Sequence, residues 1–109
     1  MALQHASSGQ VFQIRDGAED LSQFSSIALV KTEQMELIRM VMPVGKGMPE
    51  HWVKGEITLQ CLKGEIAFDA HGRTVTLREG EMLYLEGGAA HALRAVQDSV
   101  ALLTILLKD

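Results

Sequence analysis

The feature that most constrains this chain is the spacing of its turn signals. Short apolar segments alternate with the connections "KTEQ", "LKGE", "AHGR", "REGE", "EGGAA" and "QDS", and no long stretch carries apolar residues at helical spacing. Connections this brief, rich in Gly and in residues that tolerate tight turns, join antiparallel neighbours as hairpins. The segments between them predict strands at Val11 to Ile14, Ile27 to Val30, Glu36 to Met42, Ile57 to Leu62, Glu65 to Ala70, Thr74 to Leu77, Met82 to Leu85, His91 to Val96 and Val100 to Leu107. A single short helical turn is expected in "GAEDLSQF", Gly17 to Phe24, where Leu21 and Phe24 are three residues apart. An open sheet built from so many short strands would expose apolar faces and edges. The expected architecture is therefore all-β with little helix, a jelly-roll barrel or small sandwich.

Strand parity assigns the inward faces. In "EITLQCL", Ile57, Leu59 and Cys61 share one face and Thr58, Gln60 and Leu62 the other. The first set reads as barrel interior. In "ELIRMVM" the charged Arg39 is expected to face away from the apolar interior, which places Ile38, Met40 and Met42 inside. Both assignments hold only where no β-bulge reverses the alternation. The methionines Met35, Met40, Met42, Met48 and Met82 are expected near the interior strands and their mouth, where a flexible thioether adapts to a ligand or fills the core.

With 109 residues the chain is the size of one domain, residues 1–109, able to bury a core without disulfides or metal. Ten Lys and Arg stand against 14 Asp and Glu, a formal charge of −4, and the charges are scattered rather than gathered into blocks. That distribution argues against a nucleic-acid partner. "VALLTILL", Val100 to Leu107, is too short to cross a bilayer as a helix, so no membrane partner is expected. The lone Cys61 cannot form an internal disulfide, and "MALQHASSGQ" lacks the basic start and apolar core of a secretory leader. A cytoplasmic location is the expectation. Residues 1–9 are small and polar, and are expected either to be disordered or to lie against a partner chain.

Two glycine-bracketed histidine segments resemble the motifs of the cupin superfamily, and of its small single-domain conserved-barrel (cupin 2) members in particular. The first family motif reads G(X)5HXH(X)3,4E(X)6G; here Gly45, His51 and Gly64 match it. The position of the second histidine is Val53, and that of the glutamate is Ile57, with Glu56 one residue away. The second motif reads G(X)5PXG(X)2H(X)3N; Gly80, Gly88 and His91 match it, while Glu86 replaces the proline and Ala95 the asparagine. The resemblance covers residues 35 to 107. It implies the double-stranded β-helix of that family as the barrel core and a homodimer paired through a sheet; residues 1–34, outside the resemblance, are expected to add N-terminal strands and an arm.

The resemblance also implies a metal site from which two ligands have gone. Family members with complete motifs hold a divalent transition metal with three imidazoles and a carboxylate. This chain keeps His51 and His91. Two imidazoles fall short of the usual three protein ligands, so a bound Zn, Fe, Mn, Ni or Cu would need a third donor from Glu56, Gln60 or Cys61. Without metal, the two histidines would be neutral imidazoles hydrogen-bonded to each other, to water or to a ligand, and suited to acid–base work near neutral pH. Cys61 reads as a small core filler, because no adjacent base is visible in the sequence. Trp52 follows His51 and by alternation points outward, while His5 and His71 read as solvated surface.

Three classes of function remain open. One is a small-molecule-binding barrel whose pocket comprises His51, His91, Met40, Met42, Ile57, Leu59 and Cys61. Another is a metal-dependent enzyme of the dioxygenase, isomerase or decarboxylase kind. The last is a structural dimer whose interior is closed by large fillers such as Ile57 and Leu59.

Overall fold

The computed structural model describes residues 5–108. The chain forms nine strands, β1 (Ser25–Lys31), β2 (Met35–Met42), β3 (Gly47–His51), β4 (Ile57–Lys63), β5 (Glu65–Ala70), β6 (Arg73–Arg78), β7 (Met82–Leu85), β8 (His91–Ala95) and β9 (Ser99–Leu106), and no helix among the described residues. They make two antiparallel sheets, one of five strands in the order β1-β2-β9-β4-β7 and one of four in the order β3-β8-β5-β6. Consecutive strands fall in opposite sheets at several connections, so the two sheets face each other as the halves of one barrel. This is the double-stranded β-helix.

Eight expected strands form with ends displaced by at most two residues. Val11 to Ile14 does not: it is irregular, and Val11 is 92% exposed. The helical turn expected at Gly17 to Phe24 is also absent. Instead the chain turns at residues 14–17, where the Ala18 amide donates to the Arg15 carbonyl over 3.0 Å. What organises this segment is a buried cation rather than its own propensity. Arg39 lies on the outward face of β2, as parity predicts, but it is wholly buried, because residues 14–18 cross over it. Ala18, Val41 and Val100 form a small second core there, with Leu21 and Leu62 packed against it.

The main core lies between the sheets. Met40, Met42, Ile57, Leu59, Cys61, Ile66, Phe68, Leu77, Leu85, Leu93, Ala95 and Ala101 form one buried cluster. The inward parity of Ile57, Leu59 and Cys61, and of Met40 and Met42, is thus the observed one. Met82 is on the outer face and 59% exposed, which corrects its expected place near the interior. Its neighbours Leu83 and Leu85 take the inward positions of β7.

The β4–β5 hairpin shows why a glycine is required at one turn. Gly64 has φ +88°, and a Cβ there would sit 2.4 Å from both the Asp98 carbonyl oxygen and Ser99 Oγ. Ser99 is buried at this point, accepting from the Glu65 amide at 3.1 Å and donating to the Gln97 carbonyl at 2.7 Å. One end of the barrel is therefore tightly closed.

Candidate functional site

The opposite end is looser. Ile38, Val53, Ala70, Ala89, Leu103 and Ile105 are only partly buried where they pack on the core, and this apolar rim is termed the mouth. His51 and His91 stand there as direct partners across β3 and β8. Strand β3 was not expected, since Gly47, Pro49 and Glu50 give "GKGMPEH" the composition of a loop. It pairs with β8 through a bulge: Met48 faces Leu93 and His51 faces His91, so β3 carries one residue more than β8 between these pairs. The extra residue lets Met48 and His51 point inward although their numbers differ by an odd step. The bulge is what delivers His51 to the mouth.

The two rings have centroids 4.3 Å apart and are tilted by 58°. Each is fixed in the same way. His51 Nδ1 lies 2.8 Å from the Pro49 carbonyl oxygen, and His91 Nδ1 lies 3.0 Å from that of Ala89. A carbonyl oxygen only accepts, so each Nδ1 carries the proton and donates. Each Nε2 then presents a lone pair. His91 is also stacked on Phe68, with centroids 5.5 Å apart and planes 9° from parallel. Burial pushes His91 below the ordinary imidazole pKa, and the neighbouring His51 lowers it further, against an opposing contribution from the Ala89 hydrogen bond. His91 is therefore a neutral base at pH 7. Phe68 was not singled out from the sequence, although its inward parity with Ile66 on the β5 segment was legible.

None of the candidate third donors is brought to this pair. Glu56 precedes β4 on the outer side, where its carboxylate accepts from Tyr84 Oη over 2.5 Å; that bond holds the phenol above its ordinary pKa. Gln60 is flanked by Met82 and Leu102 on the outer face of the five-stranded sheet. Cys61 is wholly buried in the main core, and its Sγ donates to the Lys63 carbonyl at 3.4 Å. Burial raises its thiol pKa, and Glu79, Glu81 and Glu65 raise it further. The two depleted motif positions are apolar: Val53 packs on the core and Ile57 is 3% exposed. Among the described residues no three His, Cys, Asp or Glu side chains gather as a metal-binding group. The donor set does not fit a metal held by three protein ligands.

Of the pocket residues that parity assigns, Met40, Met42, Ile57, Leu59 and Cys61 lie in the packed core below the mouth and line no opening there. Trp52 is exposed, as its alternation predicts, and His71 lies on the surface with Nε2 3.7 Å from Glu86 Oε1. His5 is exposed. No helix of the described residues is long and apolar enough to cross a membrane.

A small antiparallel double-stranded β-helix with paired imidazoles at one mouth defines the class of barrel to which this molecule belongs. The chain is a member of the cupin domain family, whose model matches residues 38–107. Among solved structures it is similar to a conserved protein of unknown function from Streptococcus pyogenes, with 20% identity over 100% of this chain and 96% of that one and a TM-score of 0.82. It is also similar to a cupin superfamily protein from Desulfitobacterium hafniense, with 16% identity over 99% and 100% of the two chains and a TM-score of 0.83. An RmlC-like cupin from Desulfovibrio desulfuricans is 21% identical over 95% and 96% of the chains, with a TM-score of 0.71. No curated protein matches the sequence. At these identities the likeness carries the fold alone.

Proposed function

We propose that this cupin binds a small molecule at the barrel mouth, in contact with His51 and His91. One observation carries the reading: two imidazoles, each fixed through Nδ1 to a backbone carbonyl, stand side by side where the other two motif positions are apolar. A binding pocket of this kind has an apolar lining and a few convergent polar groups. The metal-dependent enzyme is the second reading, and it needs a donor that Glu56, Gln60 and Cys61 do not supply in their observed positions. Elemental analysis of the untagged protein, before and after incubation with Fe, Mn, Ni, Cu and Zn, separates the two. The binding reading expects no stoichiometric metal. Near-stoichiometric metal that disappears in both His51→Ala and His91→Ala would replace it with the metal enzyme.

A homodimer belongs to the same proposal, with a cytoplasmic location. On the outer face of the five-stranded sheet, the aligned rows Ile27-Arg39-Leu102-Gln60-Met82 and Val30-Leu37-Thr104-Thr58-Tyr84 carry one charged side chain, and that residue, Arg39, is buried. Antiparallel sheets that face water normally carry polar residues there. Residues 14–18 cover the Arg39 part of this face and Glu56 borders it at Tyr84; for a chain of net charge −4, the uncharged stretch between them, Leu102, Gln60, Thr104 and Thr58, is where a second copy approaches with least repulsion. Light scattering at micromolar concentration is expected to give twice the chain mass for the native protein and the single mass for Leu102→Glu. A native monomer removes the proposal.

A further inference from the structure

The fixed tautomers at the mouth carry the mouth-binding reading further, to the chemistry of the ligand. We propose that His51 and His91 act together as a double hydrogen-bond acceptor for two adjacent hydroxyl groups of one neutral molecule, a catechol or a vicinal diol on an apolar body.

The argument begins with the two proton positions. Both Nδ1 protons are committed to backbone carbonyls, at 2.8 Å and 3.0 Å, so neither ring offers a donor to a ligand while neutral. What remains on each ring is the Nε2 lone pair. Two acceptors in one place select a partner with two donors, and reject one whose nearest atoms are also acceptors, since acceptor facing acceptor is repulsive and leaves both unpaired. The rings are close enough, at 4.3 Å between centroids, for one small molecule to reach both.

Charge narrows the class. Ala70 pairs with His91 across β5 and β8, Ala89 holds its Nδ1, Phe68 stacks on it, and the motif position that would carry a carboxylate is the buried Ile57. A carboxylate or phosphate would meet two lone pairs, and an ammonium group would leave water for a rim with no counter-charge. A hydroxyl donor meets neither obstacle. The apolar rim suits the carbon body that holds the hydroxyls, and Phe68, buried beneath His91, holds that ring in place.

The same geometry suits a ligand other than a metal. In ligating histidines a backbone hydrogen bond at one nitrogen orients the other toward the ion. Here that orienting device is intact while the rest of the donor set has become Val53 and Ile57. The orientation is thus available to a hydroxyl proton.

The test uses native, 15N-labelled protein with EDTA present, titrated with catechol and, in parallel, with 1,2-dimethoxybenzene, whose oxygens lack protons. Long-range 15N–1H spectra report the protonation of each ring nitrogen directly. Both histidines are expected to carry the proton on Nδ1. Catechol should shift both Nε2 resonances and bind at least about tenfold more tightly than its dimethyl ether, with His51→Leu reducing it to the level of the ether. Protonated Nε2 nitrogens in the free protein would overturn the inference. Equal affinity for the two probes, with both rings perturbed, would overturn it while leaving ligand binding at the mouth intact. Rings that respond to neither probe would remove the inference and the mouth-binding reading together.

Discussion

Arg39 Nη1 donates to the carbonyl oxygen of Ile14 across 3.0 Å, joining the middle of β2 to a segment 25 residues earlier in the chain. The same nitrogen donates to the carbonyl of Asp16, while Nε and Nη2 are buried with no protein partner. The guanidinium therefore fastens the N-terminal segment at the cost of its own incomplete solvation. Arg39→Ala is expected to lose about 2–4 kcal/mol of stability, from the cavity and the two freed carbonyls. Arg39→Met keeps much of the volume and removes the buried charge, so it should lose clearly less. Urea unfolding of the three proteins checks the order; equal losses would mean that the charge itself holds the segment.

Gly64 is expected to tolerate no side chain. Its φ of +88° strains any L-residue, and an added Cβ meets the Asp98 carbonyl oxygen at 2.4 Å. Gly64→Ala should lower stability by at least about 2 kcal/mol. Gly72 also has positive φ, +73°, but nothing lies within 4 Å of its Cβ position, so Gly72→Ala should cost less. Thermal melts of the pair separate strain from collision.

Cys61 should behave as an inert core thiol. It is wholly buried and its pKa is raised chiefly by that burial. Labelling by a thiol reagent at pH 7.5 is expected to be negligible in the folded protein and complete in urea. Rapid native labelling would show that the closed end of the barrel opens.

His91 links stability to pH with a definite sign. Its folded pKa lies below the unfolded value of 6.5, so between the two the unfolded chain binds more protons. This contribution is fully present above the unfolded pKa and is lost as pH falls toward the folded one. Urea midpoints measured from about pH 8 to about pH 5 should therefore drop more steeply for the native protein than for His91→Gln. Parallel curves would show that His91 titrates alike in both states.

The alternation of apolar residues was sufficient to locate eight strands, to choose all-β over other classes, and to aim Ile57, Leu59, Cys61, Met40 and Met42 inward. These properties are local: period-two patterning and hairpin-length turns are written residue by residue. The two retained histidines were legible only through the resemblance of their spacing from Gly45, Gly64, Gly80 and Gly88 to the family motifs.

The structure decided what depends on contacts between distant segments. Val11 to Ile14 has strand-like residues, yet the Ile14 carbonyl is claimed by Arg39 and that of Gln13 by the Asp16 amide rather than by a neighbouring strand. Composition concealed β3, because Gly47, Pro49 and Glu50 resemble a loop until β8 lies alongside to pair with them. The bulge between Met48 and His51 reversed the local parity, and no periodic pattern announces a single inserted residue. Glu56, Gln60 and Cys61 were separated from the histidines by their partners Tyr84, Met82 and Lys63. Sequence spacing thus determined the barrel and, through the family resemblance, pointed to the two imidazoles, whereas tertiary pairing brought the rings side by side and chose their neighbours.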